Sequence, residues 1–351
     1  MADLTDFPKT EREFHKRFSD EEACRNYFCA MRWPEGFVCP RCGRKGGWRR
    51  HGREEYVCAN RACGKETSLR SGTVLHKSPK PLSEWMLAMF HVVISKQGMS
   101  ALELQRRMGF GCYRTALRWL RELRRCMGNA LANRELLSSD VEVDEMAFGG
   151  TDEGGKRGAG SRKKVWIVGA VERLSSGCGR TRLRLLPSRT DDVICDFITS
   201  NVQKGSIVRS DNARWYKRLP SLGYLLDART TTNGRGRQLV TDDGQKMAEA
   251  FLPRIHRVFS LAKRLFLGAH QGSYSTAHLQ GYLDEYCFRF ENKNAPNRTK
   301  LVPQILRGAL KSQCVPYWKS SGRKSPDEPT FTRSSVWTAF GALLRGEVEG
   351  G

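Results

Sequence analysis

Two things are scarce in this sequence: long apolar runs and acidic side chains. No apolar stretch approaches the roughly 18 residues of a membrane-spanning helix, which excludes a helical membrane protein. The opening MADLTDFPKTEREF is polar and carries acids. It therefore lacks the apolar middle of a secretory signal and the acid-poor character of a transit peptide. A soluble intracellular protein with no membrane partner is the expectation. Asp and Glu number 37 against 60 Lys and Arg, a net charge of +23 over 351 residues. So large an imbalance points to a polyanionic partner, most simply nucleic acid. Hydrophobic residues make up 39% of the chain, enough for buried cores, and the length fits about two domains. A disulfide framework is also missing. Of 12 cysteines, eight (Cys24, Cys29, Cys112, Cys126, Cys178, Cys195, Cys287 and Cys314) are dispersed. In a reducing cell they are expected, most simply, to be small apolar fillers.

The other four form a cluster. Cys39 and Cys42, then Cys58 and Cys63, make a C-x2-C and a C-x4-C pair fifteen residues apart. Gly43 and Gly64 follow the second cysteine of each pair, where a tight knuckle needs left-handed backbone. Four thiolates at this spacing are the signature of one structural Zn2+ in a zinc ribbon over residues 37–76. The stretch 47–57 reads as the ribbon's hairpin. A lead-in, residues 1–36, precedes it, with Ser19 as N-cap and Glu22 completing a capping box.

After the ribbon the pattern turns helical over residues 79–130. Leu82, Trp85, Met86, Met89, Phe90 and Val93 recur at helical spacing, and Gly98 ends that run. Ser100 caps a short helix, Ala101–Met108, Gly109 to Gly111 turn the chain, and a second helix is expected over 113–127. Helix, glycine-containing turn and helix suggest a helix-turn-helix. Residues 101–128 hold seven Arg and two Glu. On the second helix Leu117, Leu120 and Leu123 can face a core, leaving Arg114, Arg118, Arg121 and Arg125 as a stripe able to meet phosphates. An ordinary basic amphipathic helix is the plainer alternative.

From Val141 the period changes to that of strands. Residues 141–145 end in carboxylates, residues 165–171 are almost continuously apolar, and residues 181–186 alternate. Residues 191–202 read as a helix and 206–211 as a fourth strand ending in Asp211. Three meandering strands, a helix and a fourth strand with an acid at its end give the order of a ribonuclease-H-like fold with a mixed sheet. The first and fourth strands then lie side by side, so Asp144 and Asp211 face each other. Such a pair suits two Mg2+ (or Mn2+) ions about 3.5–4 Å apart in a phosphoryl-transfer site. Taken alone, Asp144 reads more simply as a strand-end turn residue and Asp211 as a cap of the next helix; the pair in this strand order favours the site. A third ligand is expected on the helix Pro253–Gly268. There His256 and Lys263, seven residues apart, share a face, the first able to ligate metal and the second to hold a phosphate. Glu142 projects on the same face as Asp144 and is read as a residue behind the ligands. Glu145 points the other way. The glycine-rich loop 149–158 with Lys163 and Lys164 is a candidate clamp on the DNA backbone.

The stretches RWPEGFVCPRCG, CANRACGKETSLRSGT, VEVDEMAFGG, SDNARWYKRLPSLGY and LPRIHRVFSLAKRLFLGAHQGSYSTAHLQGYLDEYCFRF, spanning roughly residues 10–291, carry a family resemblance. The chain resembles the ISXO-like insertion-sequence transposases, the zinc-ribbon DDE enzymes of the fifteen-ninety-five family. In that family the third catalytic residue varies among Glu, Asn and His, with a Lys seven residues on. The resemblance therefore implies the set Asp144, Asp211, His256 and Lys263, with Glu249 as a competing third acid. It implies an α/β multidomain protein with a zinc ribbon, a helix-turn-helix and a catalytic domain over residues 138–293. It implies cleavage of insertion-sequence ends and joining of the 3′-hydroxyl to target DNA. Double-stranded DNA would be the partner, in the form of terminal inverted repeats and target, bound by at least a homodimer in the cytoplasm or on the nucleoid. The last motif departs from the family's usual Asn-Arg-Arg run, reading Phe290-Glu291-Asn292-Lys293, and residues 227–251 match it poorly. A non-cleaving, DNA-binding regulator derived from a transposase is the competing reading. Residues 294–351 are expected to be a partly flexible extension ending in a short docking helix over 337–344.

Overall fold

The computed structural model describes residues 4, 6–50, 53–132, 135–148, 165–230, 251–268, 274–311 and 330–331. The chain divides into two compact units, one of residues 1–133 with 294–323 and one of residues 134–293 with 324–351.

The first unit begins with α1 (Glu11–Arg17) and α2 (Glu21–Arg32). The N-cap of α2 is Asp20, whose carboxylate accepts from Ala23 N at 2.8 Å, and not Ser19. Asp caps a helix as well as Ser does. Glu22 then makes no return bond and pairs with Arg25 and Arg49 instead. The ribbon holds the expected hairpin, β1 (Gly47–Arg49) against β2 (Glu55–Cys58), and a third antiparallel strand, β3 (Glu66–Ser68).

Next come α3 (Leu82–Ile94), α4 (Ala101–Met108) and α5 (Tyr113–Ala132). All six apolar residues expected along α3 are buried. Its N-cap, Pro81, offers no side-chain acceptor. Glu21 supplies one from α2, accepting from Leu82 N at 2.6 Å and Ser83 N at 3.0 Å. Ser100 caps α4 as expected, and Gly109 ends it in the left-handed conformation. Trp85 and Trp119 stack at 3.8 Å across α3 and α5. Leu120 and Leu123 are buried while Leu117 is half-buried. The helix α5 runs five residues past the expected end at Met127, carried by buried Leu131. Residues 298–311, expected to begin a loose extension, form a 3-10 turn (Arg298–Leu301) and a helix (Val302–Lys311) inside this unit. Gly308 lies so close to α5 that a Cβ there would meet the Cys126 carbonyl at 1.9 Å.

The second unit is built on five strands in the order β6-β5-β4-β7-β8. The antiparallel meander is β4 (Asp140–Phe148), β5 (Val165–Leu174) and β6 (Gly177–Leu186). After α6 (Asp191–Asn201), β7 (Ile207–Asp211) runs parallel to β4, and β8 (Leu225–Arg229), not anticipated from the sequence, runs parallel to β7. Alternation sorts the sheet's two faces. Val141, Val143, Val168, Ala170 and Val208 pack on one side with Ile194, Phe197 and Ile198 of α6. Asp140, Glu142 and Asp144 point to the other side, where α7 (Pro253–Gly268) lies, followed by α8 (Thr276–Glu291). Gln280 of α8 bonds the backbone of Leu183 and Leu185, covering the outer edge of β6.

Candidate active site

Asp144 stands near the middle of β4, opposite Gly169 on β5. The parallel register pairs Glu142 with Arg209. That pair is the last of the β4–β7 ladder, and two residues further along each strand stand Asp144 and Asp211, the latter closing β7. The third group arrives from α7, where His256 Nε2 lies 3.0 Å from Asp144 Oδ2. Asp144 Oδ1 accepts from Glu145 N at 2.8 Å. Lys263, two turns beyond His256, is half-buried on the same helix.

The approach of α7 has two local causes. Gly169 leaves room, since a Cβ there would stand 2.6 Å from Phe259 and 2.8 Å from Ile255, both on α7. Glu142 holds the helix start: one carboxylate oxygen accepts from Arg254 N at 2.8 Å and from Ile255 N at 2.9 Å. These are orphan donors of the first helical turn, in which Pro253 has no N–H to satisfy. Arg173, at 2.7 Å, and Arg254 Nη1, at 3.5 Å, face the other oxygen, so this fully buried acid is neutralised by two cations and a helix N-terminus.

On the opposite face Glu145 has its own set of partners. Trp215 Nε1 donates to it at 3.1 Å and Tyr216 OH donates to the same oxygen, while Arg189 lies at 3.5 Å from the other. The Arg189 guanidinium is sandwiched between the Trp166 and Trp215 rings, 3.7 and 4.5 Å from their centroids. Burial, and then the Asp144 charge, push Glu145 up to about 8. Burial and the same Asp144 charge push Asp211 up to about 6. Acids this crowded hold protons or need a cation.

The donors of the first unit close around a single metal position. Cys39 and Cys63 sulfurs lie 3.8 Å apart and those of Cys42 and Cys58 3.6 Å apart, and all four fall within 4.8 Å of one another. Tetrahedral Zn–S bonds of about 2.3 Å require about 3.8 Å between sulfurs. Among the described residues no other trio of ligand atoms closes to 4.8 Å, so Asp144, Asp211 and His256 do not converge on one point. Ligands shared between two ions about 3.5–4 Å apart need not. The 3.0 Å between His256 and Asp144 suits neighbouring positions on one octahedral ion with bonds of about 2.1 Å, which are about 3 Å apart.

Of the residues expected at the DNA surface, Arg114 and Arg118 are exposed, whereas Arg121 and Arg125 are half-buried and Arg125 pairs with Glu122 at 3.1 Å. Lys163, Lys164, their glycine-rich loop, Glu249 and residues 337–344 lie outside the described residues. The sequence reading missed Arg189, Trp215, Tyr216, Arg173 and Arg254. A signal existed for two of them, since Trp215 and Tyr216 follow Asp211 within a single turn.

Residues 136–291 match the ISXO2-like transposase domain, and residues 19–66 match the transposase zinc-ribbon domain. The chain belongs to the ISXO2-like transposases. This transposase has two matched regions that coincide with the five-stranded unit and with the lead-in and ribbon. A solved structure, the Mos1 strand transfer complex, is similar over 66% of this chain and 79% of its own, at 12% identity and a TM-score of 0.25, a likeness too low to carry an argument. No curated protein matches the transposase. Among the described residues no helix is long and apolar enough to cross a membrane.

Proposed function

We propose that this transposase cleaves the ends of its insertion sequence and joins the freed 3′-hydroxyl to target DNA, using Asp144, Asp211, His256 and Lys263. The observation that carries the reading is the contact of His256 with Asp144 at 3.0 Å, on the strand neighbouring the one that ends in Asp211. Asp144, Asp211 and His256 hold the divalent ions, Mg2+ or Mn2+. When bound, two such ions supply the positive charge that activates an attacking oxygen and stabilises a leaving one. The strand order β6-β5-β4-β7-β8 supports a ribonuclease-H-like core over residues 138–293. Its rigid centre carries Asp144, so the acids need little reorganisation as charge develops on the phosphate. Lys263, on the His256 face of α7, holds a phosphate of the same strand and fixes its position.

The first unit would read the terminal repeats. The pair α4 and α5, joined through left-handed Gly109, supports a helix-turn-helix. Exposed Arg114 and Arg118 on α5 would contact phosphates, with Arg121 and Arg125 behind them. The zinc ribbon, with Zn2+ on Cys39, Cys42, Cys58 and Cys63, would brace this reader. Two ends need two active sites, so the working form is at least a dimer on DNA, acting in the cytoplasm or on the nucleoid.

The test is cleavage and strand transfer on a DNA end carrying the terminal repeat, in Mg2+ or Mn2+. Asp144→Ala and Asp211→Ala should each abolish cleavage and leave DNA binding nearly intact. Cleavage at the parent rate in either variant would refute the assignment, and a parent protein that binds but never cuts would favour the regulator.

A further inference from the structure

Asp144 lies between two glutamates, and each of them reaches a different part of the site. Glu142 and Glu145 point to opposite faces of the sheet. Glu142 accepts from the backbone of Arg254 and Ile255, the residues immediately before His256. Glu145 accepts from Trp215 and Tyr216, four and five residues after Asp211. The elements that deliver the second and third site groups are thus each tied by a carboxylate to the strand that delivers the first.

We propose that Glu142 and Glu145 are positioning residues of the transposase site: Glu142 fixes the start of α7 so that His256 meets Asp144, and Glu145 fixes the turn after β7 so that Asp211 stays at the end of the neighbouring strand, on the same face of the sheet. The proposal rests on the cleavage reading above and assigns these acids a role apart from its ligands. Every carboxylate oxygen of the pair already faces a donor. For Glu142 these are two backbone N–H groups on one oxygen and two guanidinium groups on the other. For Glu145 they are the indole and phenol on one oxygen and Arg189 on the other. Both side chains are almost wholly buried, at 0% and 4% exposed. The donors of the α7 start are main-chain groups, so the tie sets the helix itself and not merely one side chain. The Glu145 tie is set by a strand–turn segment held from below, since Tyr216 is fully buried in the core against α6.

A clamp and a chemical group respond differently to an amide. Glutamine keeps a carbonyl oxygen that can accept from an indole and a phenol, but it cannot ligate as an anion or take a proton at neutral pH. The experiment uses the full zinc-loaded chain, with DNA-end cleavage measured over a Mn2+ titration for the parent, Asp144→Ala, Glu142→Ala, Glu142→Gln, Glu145→Ala and Glu145→Gln. A misplacement of about 1 Å costs on the order of 10²-fold in rate, and that is the loss expected of both alanine variants. Raised Mn2+ should recover part of it, because misaligned ligands still bind the ion, only more weakly. Glu145→Gln should cleave within about threefold of the parent, as its donors keep their acceptor. Glu142→Gln should lie between parent and alanine, since its amide keeps the helix N–H groups and loses the Arg173 ion pair.

The proposal is overturned if Glu145→Gln is as inactive as Glu145→Ala, which would make the charge itself the agent. It is overturned equally if both alanine variants follow the parent at every Mn2+ concentration, or if their loss is recovered by no Mn2+ concentration and by neither glutamine. Parent-like cleavage by Asp144→Ala is a separate failure. It would remove the reading on which the clamps stand, and the clamps with it.

Discussion

Asp211 and Glu145 should give the metal-free protein an inverted pH response. Burial and the nearby Asp144 charge raise Asp211 to about 6 and Glu145 to about 8. In the unfolded chain the same groups titrate near about 3.9 and about 4.3. The folded state therefore holds more protons across this interval, and stability is lost as pH rises through the folded values. The melting temperature of the metal-free transposase should fall between pH 5 and pH 8 (roughly the window those shifts define), and Mn2+ should reverse the fall. A melting temperature that rises with pH over that range would mean the acids are not crowded as described. These residues also mark what a sequence reader can and cannot see. Asp144 and Asp211 stand out because each follows a run of β residues, although β4 runs on past Asp144 to Phe148. Glu145 is visible as a residue on the other face of β4, but its partners Trp215 and Tyr216 lie 70 and 71 residues away. Nothing local assigns an acid to donors that only folding brings to it.

Among the elements, α7 is the one whose placement brings His256 to Asp144, and Gly169 is where that placement is most exposed to test. Gly169→Ala would put a methyl into space held by Phe259, Ile255 and Leu183. Overpacking of this kind costs about 1–3 kcal/mol and should lower the melting temperature by several degrees. Because α7 carries His256, cleavage should fall by far more than the fraction unfolded explains. A stable variant with parent-like cleavage would show that α7 can shift without moving His256. The ribbon offers a second element-level test. Chelation of Zn2+ should unfold β1 to β3 and quench protection of their amides from exchange, while the strands of the second unit keep theirs. The bounds of α7 and α4 could be read directly, from Pro253 and Gly268 and from Ser100 and Gly109. The N-cap of α2 could not, since Ser19 and Asp20 are adjacent and equally suited. The full length of α5 was hidden as well, because Gly128 looks like a stop until the packing of Leu131 is known.

Over the whole chain, the charge of +23 predicts how DNA binding responds to salt. If phosphate contacts dominate, affinity should fall by on the order of 10³-fold or more between about 50 and 200 mM salt. A nearly flat response would count against a phosphate-based interface. The two-unit division makes a second prediction. Val302, Ile305, Leu306 and Ala309 are fully buried within the first unit. Each large apolar side chain of this kind contributes about 1.5–3 kcal/mol, so a chain ending at Lys293 should lose much of that unit's stability, read as a lower melting transition or faster proteolysis. Parent-like melting of the shortened chain would show that the helix Val302–Lys311 is dispensable. The amino-acid sequence by itself marked the four-cysteine cluster, the order of β4 to β7 with α6 between them, the basic character and the identity of Asp144, Asp211 and His256 as candidates, because spacing and periodicity are local properties. Only the tertiary structure decided that residues 298–311 return to the N-terminal unit, that His256 touches Asp144, and that Glu142 and Glu145 accept from the start of α7 and from Trp215 and Tyr216. Those pairings join residues 70 to more than 100 positions apart, and which buried donor meets which acceptor is fixed by packing once the sheet and its helices have assembled.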